Sequence, residues 1–453
     1  MDEIRLKDYR CFREEQTAKL APLTLLVGEN STGKTSFLAI IRALWELAND
    51  YRIPDFKEEP YDLGSFDEIA HFRGGRGGRA ETFVAGFSTT RPNSHKRASK
   101  PLSKKFDVTF GKDGAVPVPV GRRFAFGDTW IEESFEEDSE KNHVYVLRAA
   151  THRGSWEKRV IRGKRYSLQD HTIPPHVHFS NSSIPGRNQA GDPEYEPREG
   201  SPPISSEDKE ILREFPWFDL SLSGVRPFAS APVRSKPSRT YDPSRFTRDP
   251  EGDYVPMYLA DVFTRRNRVW TELKRRLQEF GKAAGLFDEI SIKRLGQRDS
   301  EPFQIQIRKA GANLKGPLRN LIDVGYGVSQ ALLVITELLR PDAPPLFLLQ
   351  QPEVHLHPSA QAALGSLFCQ IAGNERQIIV ETHSDHLIDR VRMDVRDGSG
   401  ALKPEDVSVL YFERDSLDVQ IHSLGIDDEG NVLNAPDSYR RFFMEETTRS
   451  LGL

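Results

Sequence analysis

The sequence predicts an α/β fold: a mixed sheet built around a phosphate-binding turn, interrupted by a large α+β insertion. Three observations predict it. Residues 23–27 (Leu-Thr-Leu-Leu-Val) form a short apolar run that breaks at Gly28. From about Gly33 an apolar periodicity (Phe37, Leu38, Ile41, Leu44, Trp45) marks a helix. Far downstream, two further apolar runs, 346–349 and 377–380, end in polar clusters, as buried parallel strands do where ligand chemistry sits in open α/β sheets. Between these regions lie strand-like runs separated by Gly, Pro and Ser clusters.

The first strand and helix enclose Gly28-x-x-x-x-Gly33-Lys34-Thr35, a phosphate-binding loop in its strand–loop–helix setting. Gly28 and Gly33 permit backbone angles and close approaches that a Cβ forbids. The N–H groups of Asn30, Ser31, Thr32 and Ser36 lie where the loop and the helix N-terminus converge on an anion. Lys34 reaches β- and γ-phosphates, and the Thr35 hydroxyl suits Mg²⁺. These residues predict nucleotide binding.

Bulk composition narrows the alternatives. The 453 residues are enough for two or three domain-sized units. A net charge of −4 means that any nucleic-acid contact must come from local patches. Two cysteines, Cys11 and Cys369, cannot make a disulfide framework, which fits a reducing cytoplasm. No leader-like apolar segment or run of 18 apolar residues is present, so neither secretion nor a membrane location is expected.

In chain order, residues 2–20 alternate loosely and read as two short strands beside the phosphate-loop strand. The helix is expected to end near Asn49. Residues 62–69 read as a capped turn and short helix, and residues 1–72 as the first part of the nucleotide domain. An insertion follows over 73–289, with strands expected at 82–88, 106–110, 122–126 and 143–147. It carries basic runs at 91–105 (Arg91, Lys96, Arg97, Lys100, Lys104, Lys105) and 153–165 (Arg153, Lys158, Arg159, Arg162, Lys164); both read as a solvated loop or a phosphate-backbone contact. Residues 181–209, rich in Pro, Ser and Gly, are expected to be poorly ordered. Residues 257–284 repeat apolar side chains at helical spacing on a basic background, a core-packing helix or helix pair. Strands at 290–295 and 303–308 begin the second part of the nucleotide domain, 290–425, and a helical tail is expected over 426–453.

Three stretches of that second part carry candidate chemistry. Residues 323–330 end in Gly327-Val328-Ser329-Gln330 before a helix at 331–339, a second potential anion cradle. Run 346–349 leads into Gln350-Gln351-Pro352-Glu353, then Val354-His355-Leu356-His357-Pro358. Run 377–380 leads into Glu381-Thr382-His383-Ser384. A zinc reading on His355, His357, His383 and His386 lacks a completing cysteine or carboxylate cluster. A Ser384/His383/Asp385 hydrolase reading lacks a nucleophile elbow.

Together these stretches resemble the ABC-type ATPases of the RecF/SMC/OLD branch, closest to OLD-like bacterial AAA ATPases associated with antiphage defence. The resemblance covers roughly 1–70 and 290–425, including the opening Ile4-Arg5-Leu6-Lys7-Asp8-Tyr9-Arg10-Cys11-Phe12 and the Pro-Glu-Val-His-Leu-His-Pro run. It implies an ABC-type P-loop ATPase fold using ATP and Mg²⁺, with the insertion between Walker A and the signature loop. ATP would be sandwiched in a head-to-tail dimer or higher homo-oligomer. Gly28 to Ser36 would be Walker A of one subunit, and Gly327, Ser329 and Gln330 would belong to the signature loop of the other, Ser329 touching the γ-phosphate. Residues 346–351 would be Walker B, with Gln350, Gln351, Glu353 and the switch histidine His383 as catalytic positions, and Thr35 with Gln350 as Mg²⁺ positions.

One departure stands out. Walker B normally ends in an acid, whereas Gln350 and Gln351 are both amides, which neither accept a proton nor neutralise a cation. Two readings of Gln350 stay open: an introduced Glu→Gln change that traps ATP, or the natural residue of an ATP-gated switch. The roughly seventy residues after His383 are too few for the C-terminal Toprim nuclease domain of OLD relatives. A separate effector protein, nuclease or toxin, is therefore expected. The competing expectation is a RecF-like DNA-repair clamp whose basic loops grip DNA.

Overall fold

The computed structural model describes residues 1–50, 54–91, 102–140, 143–163, 195–215, 222, 224–243, 246–298, 300–309, 316–373, 375–439, 441 and 448–449. The chain divides into two compact units. One holds Met1–Leu20, Ser36–Gly224 and Arg414–Ile421; the other holds Ala21–Thr35, Val225–Glu413 and His422–Leu453.

In chain order the elements begin with β1 (Glu3–Lys7), β2 (Gln16–Lys19) and β3 (Leu23–Gly28), then α1 (Lys34–Asp50) and the short α2 (Phe66–Ile69). A meander follows: β4 (Phe83–Arg91), β5 (Leu102–Asp113), β6 (Val116–Phe126), β7 (Thr129–Glu137), β8 (His143–Thr151) and β9 (Gly154–Gly163). Next come β10 (Glu196–Pro197), α3 (Ser206–Arg213), β11 (Phe228–Ser230), α4 (Val255–Arg265), α5 (Asn267–Ala283), β12 (Glu289–Arg294), β13 (Phe303–Arg308) and β14 (Arg319–Asn320). The chain closes with α6 (Tyr326–Leu339), β15 (Leu346–Gln350), α7 (Pro358–Ile371), β16 (Gln377–Glu381), α8 (Asp385–Arg396), β17 (Val407–Asp415), β18 (Asp418–Ile426) and β19 (Val432–Leu433).

Among the described residues the first unit carries a nine-stranded sheet in the order β10-β9-β8-β7-β6-β5-β4-β1-β2. One sequence expectation changes here. The opening strands do not flank the phosphate-loop strand: β1 pairs antiparallel with β2 and, from Glu3↔Ser88 to Lys7↔Val84, with β4. The physical reason is legible in burial. β1 alternates buried and half-buried residues, as a one-sided antiparallel strand does, whereas β3 is buried from Leu23 through Val27, as a central parallel strand is. Packed aromatic rings fill this unit's core, Phe83 and Phe110 stacked with centroids 4.8 Å apart and Phe106 and Phe124 tilted at 4.7 Å.

The stretch expected to be poorly ordered, 181–209, is structured from 195 onward. Ser205 caps α3 by accepting from the Asp208 N–H at 3.1 Å, and buried Asp208 accepts from the Thr151 hydroxyl at 3.0 Å. In the second basic run Arg153 pairs with Glu207 and Arg159 with Glu136 and Glu157, while the Lys158 ammonium lies 5.7 Å from the Tyr195 ring centroid. The side chains of Arg91 and Arg162, residues 92–101 and 164–194, and much of the expected helical tail (440, 442–447 and 450–453) lie outside the described residues.

Among the described residues a seven-stranded sheet is ordered β11-β15-β16-β3-β17-β18-β19, and β11, β15, β16, β3 and β17 run parallel in it. Thus β3 sits between β16 and β17, and the carboxyl ends of β15, β16 and β3 come to one edge. The 257–284 periodicity resolves into two helices, breaking at Arg266, and α5 buries Trp270, Leu273, Leu277 and Phe280 in the core. No helix among the described residues is long and apolar enough to cross a membrane.

Candidate nucleotide site

β3 delivers the phosphate loop. Gly28 has φ 140° and a Cβ there would meet the Phe412 carbonyl oxygen at 2.5 Å, so only glycine fits. Gly33 (φ 85°) and Ser31 (φ 59°) complete the left-handed turn. Thr32 is fully buried and donates its hydroxyl to the Glu29 carbonyl at 2.8 Å, closing the loop on itself. Asn30 and Ser31 are exposed on its outer side. The next residue of α1 after the loop, Ser36, offers its carbonyl to the Tyr9 hydroxyl at 2.7 Å.

Lys34 is 3% exposed, and its Nζ donates to the carbonyls of Gly28 (3.0 Å) and Glu29 (2.6 Å). Burial lowers its pKa, while the nearby Glu381 and Glu29 carboxylates oppose that shift. Neutral carbonyls are weak partners for an ammonium, and a phosphate oxygen offers a charge-assisted bond at the same place. Thr35, in the first turn of α1, donates its hydroxyl to Glu381 Oε2 at 2.8 Å.

The ends of β15 and β16 face this loop. Gln350 is buried, and its Nε2 has no hydrogen-bond partner. Gln351 adopts φ 39°, a strained angle for a residue with a side chain, and its N–H donates to the Glu381 carbonyl at 2.8 Å. Glu353 is 5% exposed; its Oε1 accepts from the Thr382 hydroxyl at 2.7 Å and the His383 N–H at 2.8 Å, while its buried Oε2 has no partner. Burial raises the Glu353 pKa. His383 is exposed, and partial desolvation with the Lys34 cation nearby holds its imidazole below its ordinary pKa, hence neutral at pH 7.

The signature-like segment differs from its sequence expectation. The helix begins at Tyr326, so Gly327, Ser329 and Gln330 form its first turn instead of a preceding loop. A Cβ on Gly327 would meet the His355 carbonyl at 2.5 Å, and the Tyr326 ring lies 5.0 Å from that of His355. Ser329 turns its hydroxyl back to the Tyr326 carbonyl, and Gln330 is buried, donating Nε2 to the Ser235 carbonyl at 3.1 Å. Among the other histidines, His357 caps α7 through Ser359, and Ser384 caps α8 by accepting from Leu387 N–H at 3.1 Å.

Two residues of this region escaped the sequence reading. Glu381 is the last residue of the apolar strand β16 and carries no local motif of its own. Arg234 sits in an aperiodic Val-Arg-Ser-Lys-Pro stretch that gives no local signal. Its guanidinium is 3% exposed and donates Nη2 to the carbonyls of Gln350 (3.3 Å) and Gln351 (3.1 Å), while Nε and Nη1 have no partner. Burial lowers its pKa to about 10, with Glu353 opposing. Gln350, Glu353 and Arg234 thus bring buried polar atoms without a partner to the ends of these strands, and the glycine cradle fits phosphates.

Two family profiles divide the sequence between them. Residues 1–182 match one described as "AAA ATPase domain", and residues 192–389 one described as "AAA domain, putative AbiEii toxin, Type IV TA system". None of the curated proteins matches. Among solved structures, the SmcHead bound to the C-winged helix domain of ScpA is 12% identical, covering 94% of this chain and 97% of that one at a TM-score of 0.40. The SMC head domain from Thermotoga maritima is 12% identical over 93% and 98% of the two chains, with a TM-score of 0.35. The Smc head domain with an extended coiled coil bound to the C-terminal domain of ScpA, from Pyrococcus furiosus, is 11% identical over 99% of each, with a TM-score of 0.36. Residues 1–182 and 192–389 are thus each similar to an AAA-type domain family, and the phosphate loop lies within the first of these stretches.

Proposed function

We propose that this protein binds ATP on the loop from Gly28 to Ser36, assembles with a second copy around that nucleotide, and uses the assembly to control a separate effector in an antiphage defence system. One observation carries the nucleotide part: Lys34, Thr35, Glu381, Glu353 and His383 converge at the carboxyl ends of β3, β15 and β16, with Lys34 resting on neutral carbonyls. The defence setting is supported by the OLD-like motifs and by the AbiEii toxin description of the matched family.

In this reading the loop N–H groups and Lys34 hold the phosphates. A divalent cation accompanying the nucleotide would supply further charge neutralisation, with the Thr35 hydroxyl among its ligands. Gln350 and Gln351 carry no charge and cannot take a proton. Glu353 is the carboxylate placed to accept one: Thr382 and His383 fix one oxygen and leave the other, buried and basic, unengaged. His383, neutral at pH 7, is suited to donate or accept a hydrogen bond at the γ-phosphate.

Equilibrium dialysis with ATP tests this. Lys34→Met keeps the buried stem and removes the ammonium, so ATP affinity is expected to fall about 10- to 100-fold, the worth of a charged hydrogen bond. Equal affinity in the variant, or no ATP binding by the parent, overturns the proposal.

A further inference from the structure

We infer that the cation accompanying the nucleotide is held by the Thr35 hydroxyl together with the Glu381 carboxylate, the acid standing at the end of β16 instead of β15; this rests on the nucleotide reading above. The register places the two positions side by side. In the parallel β15–β16 pairing Gln350 is the partner of Glu381, and in the β16–β3 pairing Glu381 is the partner of Leu26, two residues before Gly28. Glu381 is therefore one strand nearer the phosphate loop than Gln350.

The chemistry separates the candidates. Gln350 offers an amide with no charge. Glu353 has one oxygen committed to Thr382 and His383, and the structure gives it no contact with the Thr35 hydroxyl. Glu381 is 5% exposed and accepts the Thr35 hydroxyl at 2.8 Å. A hydroxyl that donates to a carboxylate keeps its oxygen lone pairs for a metal, so the pair presents two hard oxygen donors beside the phosphate loop. Mg²⁺ and Mn²⁺ are held in this way, by one or two protein oxygens together with substrate phosphates and waters.

The test uses the full chain and two readouts besides turnover: ATP affinity in EDTA and Mn²⁺ affinity in the presence of ATP, counted by electron paramagnetic resonance. Glu381→Gln is expected to bind ATP in EDTA as the parent does. Its Mn²⁺ affinity is expected to fall about tenfold or more, since even outer-sphere partners of a metal are worth that much. Adding Gln350→Glu to it is expected to restore part of the loss by returning a carboxylate to the neighbouring strand. Where Glu381→Gln does not fold, Glu381→Asp takes its place, with a loss in the same direction. Unchanged Mn²⁺ affinity in the Glu381 variant overturns the inference, as does a larger gain from Gln350→Glu alone than the loss from Glu381→Gln. A parent that binds ATP neither with nor without Mn²⁺ overturns the nucleotide reading itself.

Discussion

Glu353 carries a cost that its environment makes measurable. Burial raises its folded-state pKa, whereas in the unfolded chain it titrates near ~4.3. A group whose pKa is raised by folding contributes stability below the unfolded value and loses it as pH rises through the folded value. Glu353→Gln has no such loss, so its thermal stability relative to the parent is expected to climb as pH is taken from about 4 to about 8, by at most about 1.4 kcal/mol per pH unit. The attraction of Arg234 for the ionised carboxylate is already contained in the net upward shift, so the direction of the slope stands. A flat difference across that range in a thermal-melt series would show that Glu353 is not held as a strained carboxylate. Single residues divide sharply in how readable they were. Lys34 and Thr35 are legible because their spacing from Gly28 is itself the chemistry. Glu381 and Arg234 are not, because each draws its meaning from a partner more than a hundred residues away in sequence: Thr35 for one, the carbonyls of Gln350 and Gln351 for the other.

Helix α6 poses the same question one level up. It is buried on nearly every side, including Gln330, Thr336 and Glu337. Glu337 is fully buried and paired with Arg340 at 2.7 Å, and the Arg340 guanidinium lies 4.3 Å over the Tyr258 ring of α4. Removing one member of such a pair strands a charge in the core, so Arg340→Met is expected to cost about 3–5 kcal/mol in urea unfolding. The double variant Arg340→Met/Glu337→Gln should recover most of that; a double as unstable as the single would mean that the ring contact, not the charge, supplies the stability. Periodicity identified α6 from Ala331 onward but missed its first turn, since Gly325, Tyr326 and Gly327 read as a loop and only the close approach to His355 explains a glycine inside a helix. The strands of the parallel sheet were readable as continuous apolar runs. The pairing of β1 with β4 was not, because alternation tells a strand which face is buried and not which neighbour it meets. Local capping also outweighed composition at α3: Ser205→Ala is expected to cost about 1 kcal/mol, read as faster amide exchange over residues 206–213.

For the whole molecule, the decisive property is what one chain does with another. A single copy carries a phosphate loop and, in the same compact unit, the first turn of α6 with Ser329 only partly covered and its hydroxyl turned back on Tyr326. A nucleotide-sandwich dimer would redirect that hydroxyl onto a γ-phosphate bound by the other copy, adding a charged hydrogen bond on each side. ATP with Mg²⁺ is therefore expected to shift the parent from monomer to dimer in sedimentation velocity, and ADP is not. Ser329→Arg places a bulky side chain at the contact while leaving Lys34 and Thr35 untouched, so it should bind ATP as the parent does and stay monomeric. Long-range attraction does not account for such a dimer: a net charge of −4 makes two copies repel weakly. The association should thus strengthen slightly as salt screens that repulsion, the opposite of phosphate-backbone binding, which falls steeply with salt. An ATP-dependent dimer that survives Ser329→Arg would move the contact away from α6. A parent that stays monomeric with ATP but binds duplex DNA with a steep salt dependence would favour the clamp reading over effector control.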